Sequence, residues 1–337
     1  MRHINIPIFI PHEGCPNACV FCNQRSISGT VKFDRTAVDG LILEALSTVG
    51  DDDTCEIAFF GGSFTGIDRE LMLYLLGVAQ RYVDSGRVQS IRLSTRPDYI
   101  NEEIISDLKK FSVRTVELGL QSLCDRVLDA SGRGHNAECA KIACKMLKDA
   151  GFSLIGQMMI GLPESSIDTE LKTAEDIVAM GADGARVYPT VVFYETELAS
   201  MTERGEYTPI TDEQAVMRTK EVLKVFDRAG VPCIRVGLCA SDNLVDEAFV
   251  MGGANHPSIG EMARSEVYFD SICEELDRVG VRGGELTVYV AKGCVSKAVG
   301  QKKRNTQRIC QKYGFKKVKV LEKNQILGYN ITLEYKF

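Results

Sequence analysis

Cys15-Pro16-Asn17-Ala18-Cys19-Val20-Phe21-Cys22 follows, four residues on, the apolar run Ile6-Pro7-Ile8-Phe9-Ile10. Three thiols in Cys-x3-Cys-x2-Cys spacing can close on one face of a metal ion or cluster. On a cubane of four irons they would leave one iron open to a substrate. The same spacing suits a structural zinc, with His12 completing a Cys3His tetrahedron. The run before the motif is five residues long and broken by Pro7. That is too short for a signal peptide's apolar region or a membrane span. The chain of 337 residues holds 12 cysteines, and without an export signal they are expected as reduced thiols in a cytoplasmic protein.

Outward from the motif, short β-rich runs alternate with helical patterns. Strands are expected at Ile6–Pro11, Glu56–Phe60, Gln89–Thr95, Arg114–Gly119, Leu154–Ile160 and Ala185–Val192. Helices are expected at Arg35–Val49, Asp68–Ser85, Glu102–Lys110, Asn136–Ala150, Ser166–Met180 and Asp212–Ala229. This repetition predicts a parallel sheet with right-handed crossovers, as a partial barrel or an open doubly wound sheet. Either way the chemistry belongs at the carboxyl ends of the strands.

Those ends carry recognisable blocks. Phe59-Phe60-Gly61-Gly62-Ser63-Phe64-Thr65-Gly66 closes the second strand, and its glycines let backbone approach a ligand without a Cβ in the way. Leu93-Ser94-Thr95-Arg96-Pro97-Asp98 closes the third. Glu117-Leu118-Gly119-Leu120-Gln121-Ser122 closes the fourth and leads to Ser131-Gly132-Arg133-Gly134-His135. Gly156-Gln157-Met158-Met159-Ile160-Gly161 forms the fifth, with both methionines read as core.

With Phe21 just before its third cysteine, the motif resembles the radical S-adenosylmethionine (SAM) superfamily, over roughly residues 5–240. The strand-end blocks are similar to the branch containing the Elongator catalytic subunit. So are Tyr188-Pro189-Thr190-Val191-Val192, Ile234-Arg235-Val236-Gly237-Leu238 and Gly252-Gly253-Ala254-Asn255-His256-Pro257-Ser258-Ile259-Gly260-Glu261. The resemblance implies an α/β fold: a partial (β/α)6 barrel with a small basic α+β domain at its C-terminus. It implies a barrel over 1–240, an Elongator-like extension over 241–283 and a small domain over 284–337.

It implies, further, an enzyme with a 4Fe-4S cluster on Cys15, Cys19 and Cys22 that cleaves SAM to a 5′-deoxyadenosyl radical. The cofactor carries the hard chemistry and the protein supplies placement. Phe21, Gly61, Gly62, Ser63, Ser94, Gln121, Arg133 and Gln157 are the implied SAM contacts, with Arg133 suited to a carboxylate by its planar fork. Ser63 and Ser94 stand where relatives often carry acids, which weakens those two contacts. His256 and Glu261 are candidates for a substrate mouth, and Cys233 and Cys239 lie near an expected strand end. The implied partners are RNA and an electron donor such as flavodoxin or ferredoxin, with no membrane.

The tail adds its own signal. Between Ala291 and Lys323 eleven basic residues face only Glu322, a net +10 that leaves −16 for the rest of a chain whose total is −6. A charge offset confined to one end suits a polyanion. Glu285–Ala291 alternates like a strand, Cys294–Val299 and Arg304–Tyr313 read as helices around Gly300-Gln301-Lys302-Lys303, and Lys316–Leu321 is another strand. That order resembles a KH RNA-binding module, whose Gly-x-x-Gly loop clamps backbone nucleotides. Here Lys303 replaces the second glycine, so Gly300, Lys302, Lys303 and Arg304 are the expected RNA contacts. With 54 residues left from Gly284, the acetyltransferase domain of the Elongator subunit is not expected. RNA (tRNA) modification is therefore the expected activity. Two other readings remain: an oxidase of a porphyrin or other small molecule, resembling the oxygen-independent coproporphyrinogen oxidases, and a zinc-bearing RNA-binding protein without catalysis.

Overall fold

Seven parallel strands make one curled sheet in the order β1-β2-β3-β4-β5-β6-β8, in a computed structural model that describes residues 2–10, 15, 19–23, 33–50, 52–238, 246 and 248–336. The strands are β1 (His3–Ile10), β2 (Thr54–Gly61), β3 (Ser90–Thr95), β4 (Val113–Gln121), β5 (Ser153–Ile160), β6 (Gly184–Pro189) and β8 (Cys233–Val236). Helices α1 (Val38–Leu46), α2 (Arg69–Asp84), α3 (Glu102–Leu108), α4 (Asp125–Ala130), α5 (Ala137–Asp149), α6 (Ile167–Ala179), α7 (Glu197–Glu203) and α8 (Asp212–Arg228) intervene.

Period-two alternation sets the two faces of each strand. On β1, Ile6, Ile8 and Ile10 are at most 2% exposed and pack under the helices, whereas His3, Asn5, Pro7 and Phe9 line the interior of the curl. Each buried isoleucine contributes roughly 1.5–3 kcal/mol. Side chains of Asp68, Asn101, Asn136, Ser166 and Thr211 accept backbone N–H groups at the starts of α2, α3, α5, α6 and α8. Each cap contributes about 1 kcal/mol.

Two elements depart from the expectation. The run Ala185–Val192 is not one strand. Both the backbone N–H and the hydroxyl of Thr190 bond to the Ile160 carbonyl, at 2.8 and 2.7 Å, and end the ladder. The next residues become β7 (Val191–Phe193), paired antiparallel with β9 (Val250–Gly253). The sheet also gains a seventh strand, the four-residue edge strand β8.

Beyond β9 runs α9 (Ile259–Val279), a 21-residue helix. It leads to β10 (Glu285–Val290), α10 (Val295–Val299), α11 (Arg304–Tyr313), β11 (Lys317–Glu322) and β12 (Thr332–Lys336). The sheet order is β11-β10-β12, with β11 parallel and β12 antiparallel to β10. Ile259, Ala263 and Val267 of α9 belong to the barrel core, while Tyr268, Ile272, Cys273 and Leu276 belong to a second core under the small sheet. Among the described residues no helix is long and apolar enough to cross a membrane.

Candidate active site

The interior of the curl is a cavity of about 670 Å³. Its lining includes Phe21, Cys22, Gly61, Ser94, Gln121 and Gln157 from the expected contacts, beside Phe9, Phe60, Met159 and Tyr188. Met158 is core as expected, but Met159, one residue on, points the other way and faces the cavity.

The β2 turn explains its glycine. Gly61 has φ +119°, and a Cβ there would lie 2.4 Å from the Ile10 carbonyl oxygen. Gly62 N–H donates to that same carbonyl at 3.0 Å, so the turn clips the ends of β1 and β2 together. Ser63 is fully buried and turned away from the cavity lining. Its hydroxyl pairs with that of Thr95 at 2.7 Å and accepts from the Arg96 N–H at 3.2 Å.

Gln121 ends β4 at φ +66°, beside a register shift against β5. Its Oε1 is buried without a hydrogen-bond partner among the described residues. Gln157 does not project a free amide. Its Nε2 donates to Glu117 at 2.9 Å, and the fully buried Glu117 also accepts from Arg92 at 2.9 Å and Arg186 at 2.8 Å. Arg92 continues to Glu56, which His3 contacts at 3.1 Å. This ion network closes the amino end of the cavity, and its pairing offsets the cost of burying the charges.

At the other end the cysteine segment is hung on the barrel by backbone bonds: Val20 N–H to Ser131 O at 3.1 Å and Leu198 N–H to Val20 O at 2.8 Å. Cys22 N–H returns to Cys19 O at 3.0 Å. Cys19 is buried, Cys22 half-buried and Cys15 exposed. Arg133, also buried, donates from Nη1 to Cys19 Sγ at 3.2 Å and from Nη2 to Gly119 O at 2.5 Å, and its Nε has no partner among the described residues. His135 stands 3.3 Å from Arg133 Nη2 through its Nε2. Burial first, then Arg133, pushes its pKa down to about 4, so the ring is neutral and accepts from the guanidinium.

Arg96 is the residue that the sequence reading did not assign. It is 4% exposed, grips Asp98 with two bonds of 2.9 Å, donates to the Arg133 carbonyl, and places Nη1 3.9 Å from Cys19 Sγ. Its signal lay in Thr95-Arg96-Pro97-Asp98, where a strand ends on an Arg and Asp two residues apart.

Other candidates lie elsewhere. His256 is outside the cavity lining, with Nδ1 accepting from Ser258 N–H at 3.0 Å, and Glu261 is exposed. The Cys233 thiol bonds to the Arg235 carbonyl at 3.3 Å and is pushed up to about 11 by burial. His12 and Cys239 are outside the described residues. Among the described residues no three His, Cys, Asp or Glu side chains gather as a metal-holding group. In the tail, Gly300, Lys302 and Lys303 all have positive φ (75°, 50° and 63°), and both lysines and Arg304 are exposed. Asn305 behind them is fully buried and donates to the carbonyl and hydroxyl of Ser265 at 2.8 and 2.9 Å.

A family model, the radical SAM superfamily, matches residues 9–177, half of the chain, and spans every strand end just described up to β5. The chain belongs to the radical SAM superfamily. A radical SAM C-terminal domain model follows over residues 182–268. Similar proteins include "tRNA uridine(34) acetyltransferase" of Methanocaldococcus infernus, 28% identical over 74% of this chain and 53% of that protein. Another is "Elongator complex protein 3" of Homo sapiens, 24% identical over 75% of this chain and 53% of that protein. The chain thus spans about half the length of these curated relatives. Among solved structures, the N-terminally deleted archaeal Elongator protein 3 of Methanocaldococcus infernus aligns with a TM-score of 0.61 and 21% identity. That alignment covers 83% of this chain and 64% of that one, a likeness of fold.

This is therefore a radical SAM enzyme with similarity to Elongator-type proteins, and membership in the superfamily implies a 4Fe-4S cluster and SAM. Among the described residues, Cys15, Cys19 and Cys22 are not gathered as a metal-holding group, but the surroundings of Cys19 suit the cluster and two buried polar atoms suit SAM. Two guanidinium groups beside Cys19 suit thiolates on an anionic cluster. Gln121 Oε1 and Arg133 Nε are buried polar atoms lacking partners among the described residues, of the kinds that a cofactor bearing hydroxyls and a carboxylate would satisfy.

Proposed function

We propose that this radical SAM enzyme holds a 4Fe-4S cluster on Cys15, Cys19 and Cys22 and modifies RNA of the tRNA class. The observation that carries the catalytic half is the cysteine segment anchored at the carboxyl ends of the strands, with Phe21 and Cys22 facing the cavity. When bound, the cluster and SAM supply a reductively generated carbon radical that abstracts hydrogen from the substrate. Arg133 and Gln121 orient SAM through Nε and Oε1. Gly61 and Gly62 present backbone at the turn and Ser94 a hydroxyl. Ser63 supports the turn from behind through Thr95, and the Glu117 network holds Gln157 rigid. The aromatic wall of Phe9, Phe21 and Phe60 keeps water from a reactive intermediate. Electrons come from a small donor protein of the flavodoxin or ferredoxin kind.

The RNA half is supported by the tRNA substrate named for the archaeal relative and by the tail. Strand, helix, loop, helix, strand occurs there as β10-α10-loop-α11-β11, and the loop exposes Lys302, Lys303 and Arg304 at the start of α11. A KH-like domain over 284–337, reached from a barrel over 1–240 through 241–283, is the organisation that fits, because α9 sits in both cores. One experiment tests the whole reading. The full chain, reconstituted without oxygen, is incubated with SAM, a reductant and total tRNA, and nucleosides are read by mass spectrometry. A new nucleoside mass together with 5′-deoxyadenosine supports it; SAM cleavage with no change in any tRNA nucleoside removes the RNA half.

A further inference from the structure

Arg96 and Arg133 converge on one sulfur from different loops. Arg96 follows β3 and Arg133 follows α4, yet both aim Nη1 at Cys19 Sγ, at 3.9 and 3.2 Å. The two are locked together, since Arg96 Nη2 donates to the Arg133 carbonyl. Asp98 fixes the rest of the Arg96 fork with bonds of 2.9 Å to Nε and Nη2. Behind it, Arg96 N–H donates to Ser63, whose hydroxyl meets Thr95, and Thr95 meets Thr65 at 2.7 Å. The chain of contacts runs from the β2 turn through the end of β3 to the cysteine loop, and Arg96 is its last member.

We infer that Arg96 is a positioning residue of the cluster site: held by Asp98, it fixes the cysteine loop through Cys19 and, with Arg133, raises the reduction potential of the cluster that Cys19 carries. The inference rests on the cluster reading above. Hydrogen bonds to ligating sulfur and positive charge nearby both favour the more negative, reduced state of a cluster. Arg96 contributes both at 4% exposure, where solvent screens little.

The test uses the full chain reconstituted anaerobically, without SAM, in wild-type, Arg96→Gln, Arg96→Lys and Asp98→Asn forms. Iron and sulfide per chain, the cluster midpoint potential and the rate of iron loss to a chelator are measured. Arg96→Gln should hold a cluster of more negative potential that loses iron several-fold faster. Arg96→Lys, which keeps the charge without the fork, should recover most of the potential but not the slow iron loss. Asp98→Asn leaves both arginines in place and should accelerate iron loss several-fold, so the positioning role is readable even if Arg96→Gln does not fold. Wild-type potential and iron retention in Arg96→Gln overturn the inference, as does an equal potential shift in the Gln and Lys variants. If Arg96→Gln does not fold, an unchanged iron-loss rate in Asp98→Asn overturns it. A wild-type chain that takes up no iron–sulfur cluster overturns the cluster reading itself, a distinct result.

Discussion

Arg133 Nη1 lies 3.2 Å from Cys19 Sγ, while its Nε, buried on the same guanidinium, has no partner among the described residues. One side chain thus touches the cysteine that would hold the cluster and keeps a buried donor unmatched beside it. Arg133→Ala should weaken SAM binding by roughly tenfold to a hundredfold, the equivalent of a charge-assisted hydrogen bond of about 1.5–3 kcal/mol. Equilibrium binding to the reconstituted protein checks it. Because the same residue touches Cys19, iron should also be lost faster, and unchanged SAM affinity with lost iron would restrict Arg133 to the cluster side.

Replacement of Cys15, Cys19 or Cys22 by Ala should abolish the brown chromophore and SAM cleavage. Replacement of Cys55, Cys124 or Cys310 should leave both. Cys55 Sγ already bonds to the Arg87 carbonyl at 3.2 Å near the amino end of β2, whereas the cysteine motif follows the carboxyl end of β1 in the chain. Iron analysis and visible absorbance of the six variants decide the point. A colourless wild type that binds zinc would remove the radical chemistry.

His135 sets a pH window. Its folded pKa is pushed down from 6.5 to about 4, so protonation is disfavoured in the folded state. The sign follows from linkage: the contribution is present above the unfolded value of 6.5 and is lost as pH falls towards about 4. Urea midpoints measured across that interval should fall with pH for the wild type. For His135→Gln the fall should be shallower, and parallel curves would assign the acid sensitivity to other groups.

Lys303 occupies a left-handed backbone conformation, at φ 63°. Lysine there costs about 1 kcal/mol relative to glycine. Lys303→Gly should therefore raise stability by about that amount while lowering RNA affinity, so the two effects separate in denaturation and binding measurements. Changing Lys302, Lys303 and Arg304 together to Ala should reduce the slope of log affinity against log salt by about two units if all three reach phosphates of a single strand. Salt-insensitive RNA binding, or a triple variant that binds like the wild type, would make the tail a solvated surface.

Six barrel strands were legible because each is a short run rich in Val, Ile, Phe or Leu that ends near glycine, proline or serine. Cys233–Val236 was not, because an edge strand of four half-exposed residues has no such pattern. The helix Ile259–Val279 was hidden for a different reason. It has no side-chain N-cap, and its apolar positions serve two cores. At the site, the cysteine spacing and strand-end blocks were readable as local motifs. Arg96 was not, since its partners Cys19 and Arg133 are 77 and 37 positions away in the chain. The left-handed lysines were missed because propensity assigns that conformation to glycine.

Helix α9 has a mechanical consequence. It is about 30 Å long at 1.5 Å per residue, and its two halves are cemented into different cores. Neither unit can swing without tearing apolar side chains out of one core, so the offset between the lysine loop and the barrel mouth is a fixed length. Asn305 pins the loop to Ser265 on that same shaft. For an RNA gripped at both ends, the second contact comes at a high effective concentration only when the strand spans that length. Substrate choice would then be partly a measurement of distance, made before any base is read.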